Sequence, residues 1–216
     1  SSRLFFLDPV EDENFAVVFG GFERCAADYR IDRRDFPWYS LEFVSYGSGK
    51  LLLGGVEHEL VPGSFYIYGP SVPHTIETSP DNPLGKYFVG FTGTEVESFL
   101  ELHDMRPGFF SRCVKGEPIR RTLDMLIDRG IRKSGYARPL CAAITRQLLL
   151  LCRDDAADPV STDTPAFATF ARCREFIERN FLANTTLDSI AKACEVDAPI
   201  FAASSPAFTT RVPISF

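Results

Sequence analysis

The residues whose types and spacing could do chemistry fall in two short stretches. R33-R34-D-F-P-W38-Y39 places two guanidinium groups close to the single Trp of the chain. An indole face stacks on a flat ring, and a guanidinium grips a carboxylate or a hydroxyl, so this stretch could hold a small organic molecule. The plainer alternatives are a solvated surface pair for Arg33 and Arg34 and a hydrophobic plug for Trp38. In the second stretch, E57-H58-E59 with His74 further on offers nitrogen and oxygen donors of the kind that bind Fe, Mn, Ni or Zn. Two His one residue apart would strengthen such a site, but positions 56 and 60 are Val56 and Leu60. The alternative places His58 on an exposed hairpin and has His74 hydrogen-bonded inside a barrel mouth. Three His and no nucleophile elbow give no Ser-His-Asp or Cys-His arrangement. The expectation is no catalytic residue, no metal and no cofactor.

These residues need a scaffold, and the chain divides into three regions that could supply one. From about Phe15 to Phe91, short runs of Leu, Val, Phe, Tyr and Ile are separated by GSG, GG, PGS and GPSVP. Short strands with turns this frequent make a small sandwich or barrel. Alternation of Tyr87, Val89 and Phe91 marks one more strand. From about Thr94 to Arg153 the pattern is helical. EVESFLELHDM makes a short helix, and Pro118 begins a longer one with Ile119, Leu123, Leu126, Ile127 and Ile131 on one face. After Gly135, Leu140, Ile144, Leu148 and Leu151 form a stripe that Leu149, Leu150 and Cys152 widen. A helix apolar on two sides needs two partners, either both within the monomer or one of them in a second subunit.

DDAADPVSTDTPA, 154–166, reads as a linker. The expected domains are 1–155 and 165–216. In the second, Thr185 with Asp188 forms a capping-box pattern ahead of TLDSIAKAC, Glu195 to Asp197 make a turn, and Pro199 lies in the first turn of a further helix. That is helix-turn-helix spacing.

Composition narrows the classes. The chain has 216 residues, 45% hydrophobic and 24% charged, with 20 Phe, so a packed core is within reach. The net charge of −6 is unlike a lone nucleic-acid-binding domain, and residues 165–216 balance five basic against five acidic side chains. No apolar run approaches the roughly 20 residues of a membrane span. Six Cys lack C-x-x-C spacing, several at apolar helical positions, which points to a reducing, cytoplasmic setting.

Taken in order, the segments resemble the AraC family of transcription regulators. W38-Y-S-L-E-F-V-S-Y-G-S-G49 resembles the first strand and turn of that family's cupin-like effector domain. L60-V-P-G63 with P70-S-V-P-H74 resembles its hairpin, and N82-P-L-G-K-Y-F-V-G-F-T-G93 its closing strand. Helices 117–133 and 137–153 resemble its dimerisation pair. T186-L-D-S-I-A191 through F208-T-T-R-V-P213 resembles the first of its two helix-turn-helix units. The resemblance implies an α+β protein: an N-terminal cupin-like β-barrel with a helical pair, then a small all-α helix-turn-helix module.

It also implies function. A small-molecule effector, carbohydrate by lean, would be held by Arg33 or Arg34, Trp38, His74, Ile76, Lys86 and Phe88. A homodimer through 117–133 and 137–153 would present double-stranded DNA contacts from Thr186, Asp197, Ala198, Ile200 and Ala203. The match weakens in the second helix. Ala203, Ser205 and Pro206 stand where the family has Arg, Phe and Lys, and base reading normally uses Arg, Lys, Asn or Gln. The family's second unit would lie beyond Phe216. The arm RLFFLDPVEDENF could fold over the ligand. Two other readings remain open: a metal-dependent cupin enzyme, and a ligand-binding module whose DNA-binding part is inactive.

Overall fold

The computed structural model describes residues 3–8 and 13–157. The helix-turn-helix expected over 165–216, with Thr186, Asp197, Ala198, Ile200 and Ala203, lies outside the described residues.

Alternation of side chains along the strands builds two facing antiparallel sheets. One runs β1 (Arg3–Phe6), β2 (Ala16–Arg24), β9 (Gly85–Thr92), β4 (Tyr39–Tyr46), β7 (Ser64–Tyr68) and β10 (Phe110–Arg112). The other runs β3 (Arg30–Arg33), β8 (His74–Thr78), β5 (Gly49–Leu53) and β6 (Val56–Leu60). The GG dipeptide is a two-residue hairpin between β5 and β6. Gly54 and Gly55 both take positive φ, 56° and 88°, as a type I′ turn demands.

The larger sheet is covered on both faces, which explains the near-continuous apolar runs of β4 and β7. Leu41, Phe43, Phe65, Ile67, Val89 and Phe91 point toward the helices. From the same strands, Val44, Tyr66 and Tyr68 point inward to meet Leu51, Leu53, Leu60 and Ile76. The smaller sheet keeps one face in water, so β5 alternates buried Leu51 and Leu53 with exposed Lys50 and Leu52.

Helices α1 (Val96–Leu102), α2 (Glu117–Arg132) and α3 (Ala137–Asp154) match the expected spans closely. Three details differ. The region from 94 to 153 is not all helical, because β10 returns to pair with β7. The N-terminal segment is not a free arm over its length: Arg3–Phe6 pairs with β2, and Phe5 is buried in the main core. The buried face of α3 is turned from the expected stripe. Ala137, Cys141, Ile144, Leu148, Leu149 and Cys152 face inward, and Leu140 is 40% exposed. Small Ala137 and Cys141 allow α3 to lie close to α2, where the Cys141 thiol is 3.9 Å from the Leu126 carbonyl.

On α2 the expected face holds through Ile127, but Ile131 is exposed. Gly130 takes the contact instead, under the Phe5 ring. A Cβ at 130 would sit 2.3 Å from that ring. Gly130→Ala should therefore push β1 off α2 and cost about 1–3 kcal/mol, read by urea denaturation. An unchanged midpoint would mean that Phe5 is not anchored there.

Candidate functional site

Between the two sheets lies a cavity of about 310 Å³. Its floor comes from inward positions of β2, β4, β7 and β9. Glu42, Tyr66 and Tyr68 share one face because Glu42 pairs with Tyr66 across the strands, and Lys86 lies on the next strand over. Lys86 Nζ is 2.9 Å from Glu42 Oε2 and 3.5 Å from Glu23 Oε2. The hydroxyls of Tyr66 and Tyr68 donate to the two Glu42 oxygens at 2.7 and 2.8 Å. The Lys86 side chain is 2% exposed, so this pair is shielded from water and from salt.

Burial works against the charge on Glu42, but Lys86 and the two tyrosine hydroxyls outweigh it and hold the carboxyl below its ordinary value. Burial likewise opposes the Lys86 charge, and Glu42 overrides it, so the ammonium is held more tightly than usual. Tyr68 is pushed up by burial and then by the Glu42 charge, and stays a phenol. Cys25 is pushed up to about 12, mainly by burial, and is an inert thiol.

The walls are rings. Phe19, Phe36 and Trp38 meet edge to face, with centroids 5.6 to 6.2 Å apart, and Phe88 joins them 6.1 Å from Phe19. The register of β2 against β9 slips between Val17 and Phe19. That bulge lets two consecutive residues, Val18 and Phe19, both line the cavity. Phe6, 65% exposed, closes one side from β1. Arg33 lines the opposite part, its guanidinium 4.8 Å above the Phe36 ring.

Of the residues expected from sequence, Arg33, Trp38, Lys86 and Phe88 come together on the cavity wall. Three do not line it. Arg34 is exposed and points elsewhere. Ile76 is buried in the core between the sheets. His74 is also buried, its ring stacked 3.8 Å from Tyr68. Burial lowers its basicity, partly offset by the Val72 carbonyl. In the neutral ring Nδ1–H donates to that carbonyl at 3.3 Å, which leaves Nε2 an acceptor, and that atom is buried without a partner.

Glu42, Glu23, Tyr29 and Tyr68 were not expected from sequence. Glu42 carried a readable signal, since a carboxylate inside the apolar run L-E-F-V must be paired if the strand is covered on both faces. His58 lies on β6 of the β5–β6 hairpin, where its ring is half-buried and stacked 4.1 Å from Phe110 while Glu57 and Glu59 beside it are exposed. Among the described residues, no group of three His, Cys, Asp or Glu is arranged to hold a metal ion.

The depressed pKa of Glu42 has a measurable consequence. Its stabilising charge is fully present above the ordinary value of 4.5 and is lost as pH falls through its depressed folded value. Glu42→Gln should be less stable than the parent at neutral pH, and the gap should narrow on acidification. Denaturant midpoints across pH 2 to 7 test this; a gap independent of pH would contradict the pairing.

A ring-lined cavity, open to solvent on one side and set between two antiparallel sheets, suits a small-molecule binding domain. Residues 17–149, more than half the chain, match the model of the AraC-like ligand binding domain, and the chain belongs to that family. The fold is cupin-like, antiparallel and sheet-rich. No curated protein matches the chain in sequence. Among solved structures, it is similar to the AraC-like transcriptional activator CuxR at 10% identity, over 92% of this chain and 77% of that one, TM-score 0.48. It is also similar to YhaK from Escherichia coli at 15% identity, over 43% and 45%, TM-score 0.38. A Cupin 2 conserved barrel domain protein from Salinispora arenicola CNS-205 matches at 17%, over 47% and 83%, TM-score 0.35. These scores are low, and the family membership rests on the sequence match over 17–149.

Proposed function

We propose that the chain is a ligand-responsive transcription regulator rather than an enzyme. A small molecule enters the cavity between the sheets and changes how a DNA-binding part, within 165–216, is presented. The observation that carries this is the ring-lined cavity with its prebuilt Glu42–Lys86 floor, in a chain of the AraC-like ligand-binding family. Binding can shift a second site only if the ligand contacts two states differently. The structure offers a physical link for that: β1 carries Phe6 on the cavity and Phe5 on α2.

Dimerisation through α2 and α3 is part of the same reading. Met125, Ile131, Leu140 and Leu150 leave large apolar side chains exposed on these helices. A carbohydrate, the ligand class leaned to from Trp38, is tested beside other classes below. No described helix is long and apolar enough to cross a membrane. The ligand contacts of this reading are Arg33, Trp38, Glu42, Tyr68, Lys86 and Phe88, without Arg34, His74 and Ile76, which lie outside the cavity lining.

The test is retention of random double-stranded DNA by the full chain across a salt series. A regulator should show affinity that falls steeply as salt rises, as released counterions require. Absence of any salt-dependent retention would contradict the DNA-binding part and leave a binding module.

A further inference from the structure

The charged groups on the cavity wall are unequal. Glu42, Glu23 and Lys86 satisfy one another at the floor. Arg33 does not belong to that cluster, and among the described residues it has no carboxylate partner, only the face of Phe36 beneath it. It faces His74 directly across the β3–β8 pair, so the two side chains share the inner side of the barrel. The buried Nε2 of His74 has no partner either. The cavity wall therefore carries a guanidinium fork without an anion, and the imidazole acceptor without a donor lies beside it, buried outside the lining. The rest of the wall is the flat, apolar surface of Phe19, Phe36, Trp38 and Phe88.

Resting on the reading of this cavity as the effector site, we propose that it binds a planar aromatic monocarboxylate, with the carboxylate on Arg33 and the ring against Trp38 and Phe88. A guanidinium matches a carboxylate in a two-point fork that a hydroxyl cannot fill. A sugar would need a partner for each hydroxyl, and the floor groups already spend much of their capacity on each other. A benzylic amine, protonated at neutral pH, would bring a cation against Arg33.

Isothermal titration of the full chain with benzoate, benzyl alcohol, benzylamine and L-arabinose separates these classes. Benzoate should bind, and benzyl alcohol and benzylamine should bind at least about tenfold more weakly. Arg33→Ala should weaken benzoate by roughly 10- to 100-fold. Arg33→Lys, which keeps the charge and loses the fork, should fall between the two. Arg34→Ala, on the surface, should change nothing. Preferential binding of L-arabinose or benzylamine would overturn the acid and leave the cavity as an effector site. Benzoate affinity indifferent to Arg33 would overturn the contact. Heat from none of the four probes would overturn the proposed acid, and a broader ligand screen would then judge the cavity itself.

Discussion

Lys86→Met should destabilise the protein by about 3–5 kcal/mol. The substitution leaves Glu42 buried with two phenol donors and no cation. Its carboxyl must then either carry an unpaired charge in the barrel or take up a proton. Either outcome costs more than the lost pair itself, because the penalty is that of the stranded partner. Urea denaturation at pH 7 reads the effect. Adding Glu42→Gln to Lys86→Met removes the stranded charge and should recover part of the loss, a coupling that a double-mutant cycle isolates. A single-variant loss under about 1 kcal/mol would place the pair in water, like an ordinary surface bridge. It would also remove the reason to treat the floor of the cavity as prebuilt.

Phe91→Ala acts on the other face of the same sheet. Phe91 is fully buried, stacked on Phe15 at 5.4 Å and on Tyr39 at 6.2 Å. Phe15 in turn lies under the Arg146 guanidinium of α3. Truncating the ring should cost about 3–5 kcal/mol. The loss falls between sheet and helices and leaves the cavity lining intact. Ligand affinity measured well below the unfolding temperature should stay near that of the parent, whereas Lys86→Met should lower both stability and affinity. Equal damage to affinity from the two variants would mean that the faces of the sheet are not separable.

These two faces show what the sequence made legible. Period-two alternation marked β9, and the GG turn marked the β5–β6 hairpin, because both signals are local. The helical spans were legible from apolar spacing, but the rotation of α3 was not. Leu140 and Leu151 are as apolar as Leu148, and only packing against α2 selects the face with the small residues Ala137 and Cys141. β1 and β10 were missed for a related reason. Each is only three or four residues long, and each is fixed by its partner strand rather than by its own composition. Of the site, Trp38 and Arg33 could be named from residue type, and Lys86 and Phe88 from resemblance. The network around Glu42 required register, since Tyr66 and Tyr68 lie 24 and 26 positions away. Arg34, adjacent to Arg33, could not be told apart from it until β3 settled which guanidinium faces inward.

The most direct measurement uses the single Trp of the chain, which lies on the cavity wall. Trp38 emission is followed while small molecules that raise the unfolding temperature are added, in the parent and in Val18→Phe. Val18 reaches the cavity through the β2 bulge, so a phenyl ring there takes up ligand space. A ligand of the cavity should change Trp38 emission in the parent and fail to do so in Val18→Phe. A stabilising ligand that leaves Trp38 unchanged, or one that binds Val18→Phe equally well, would contradict a binding site between the sheets.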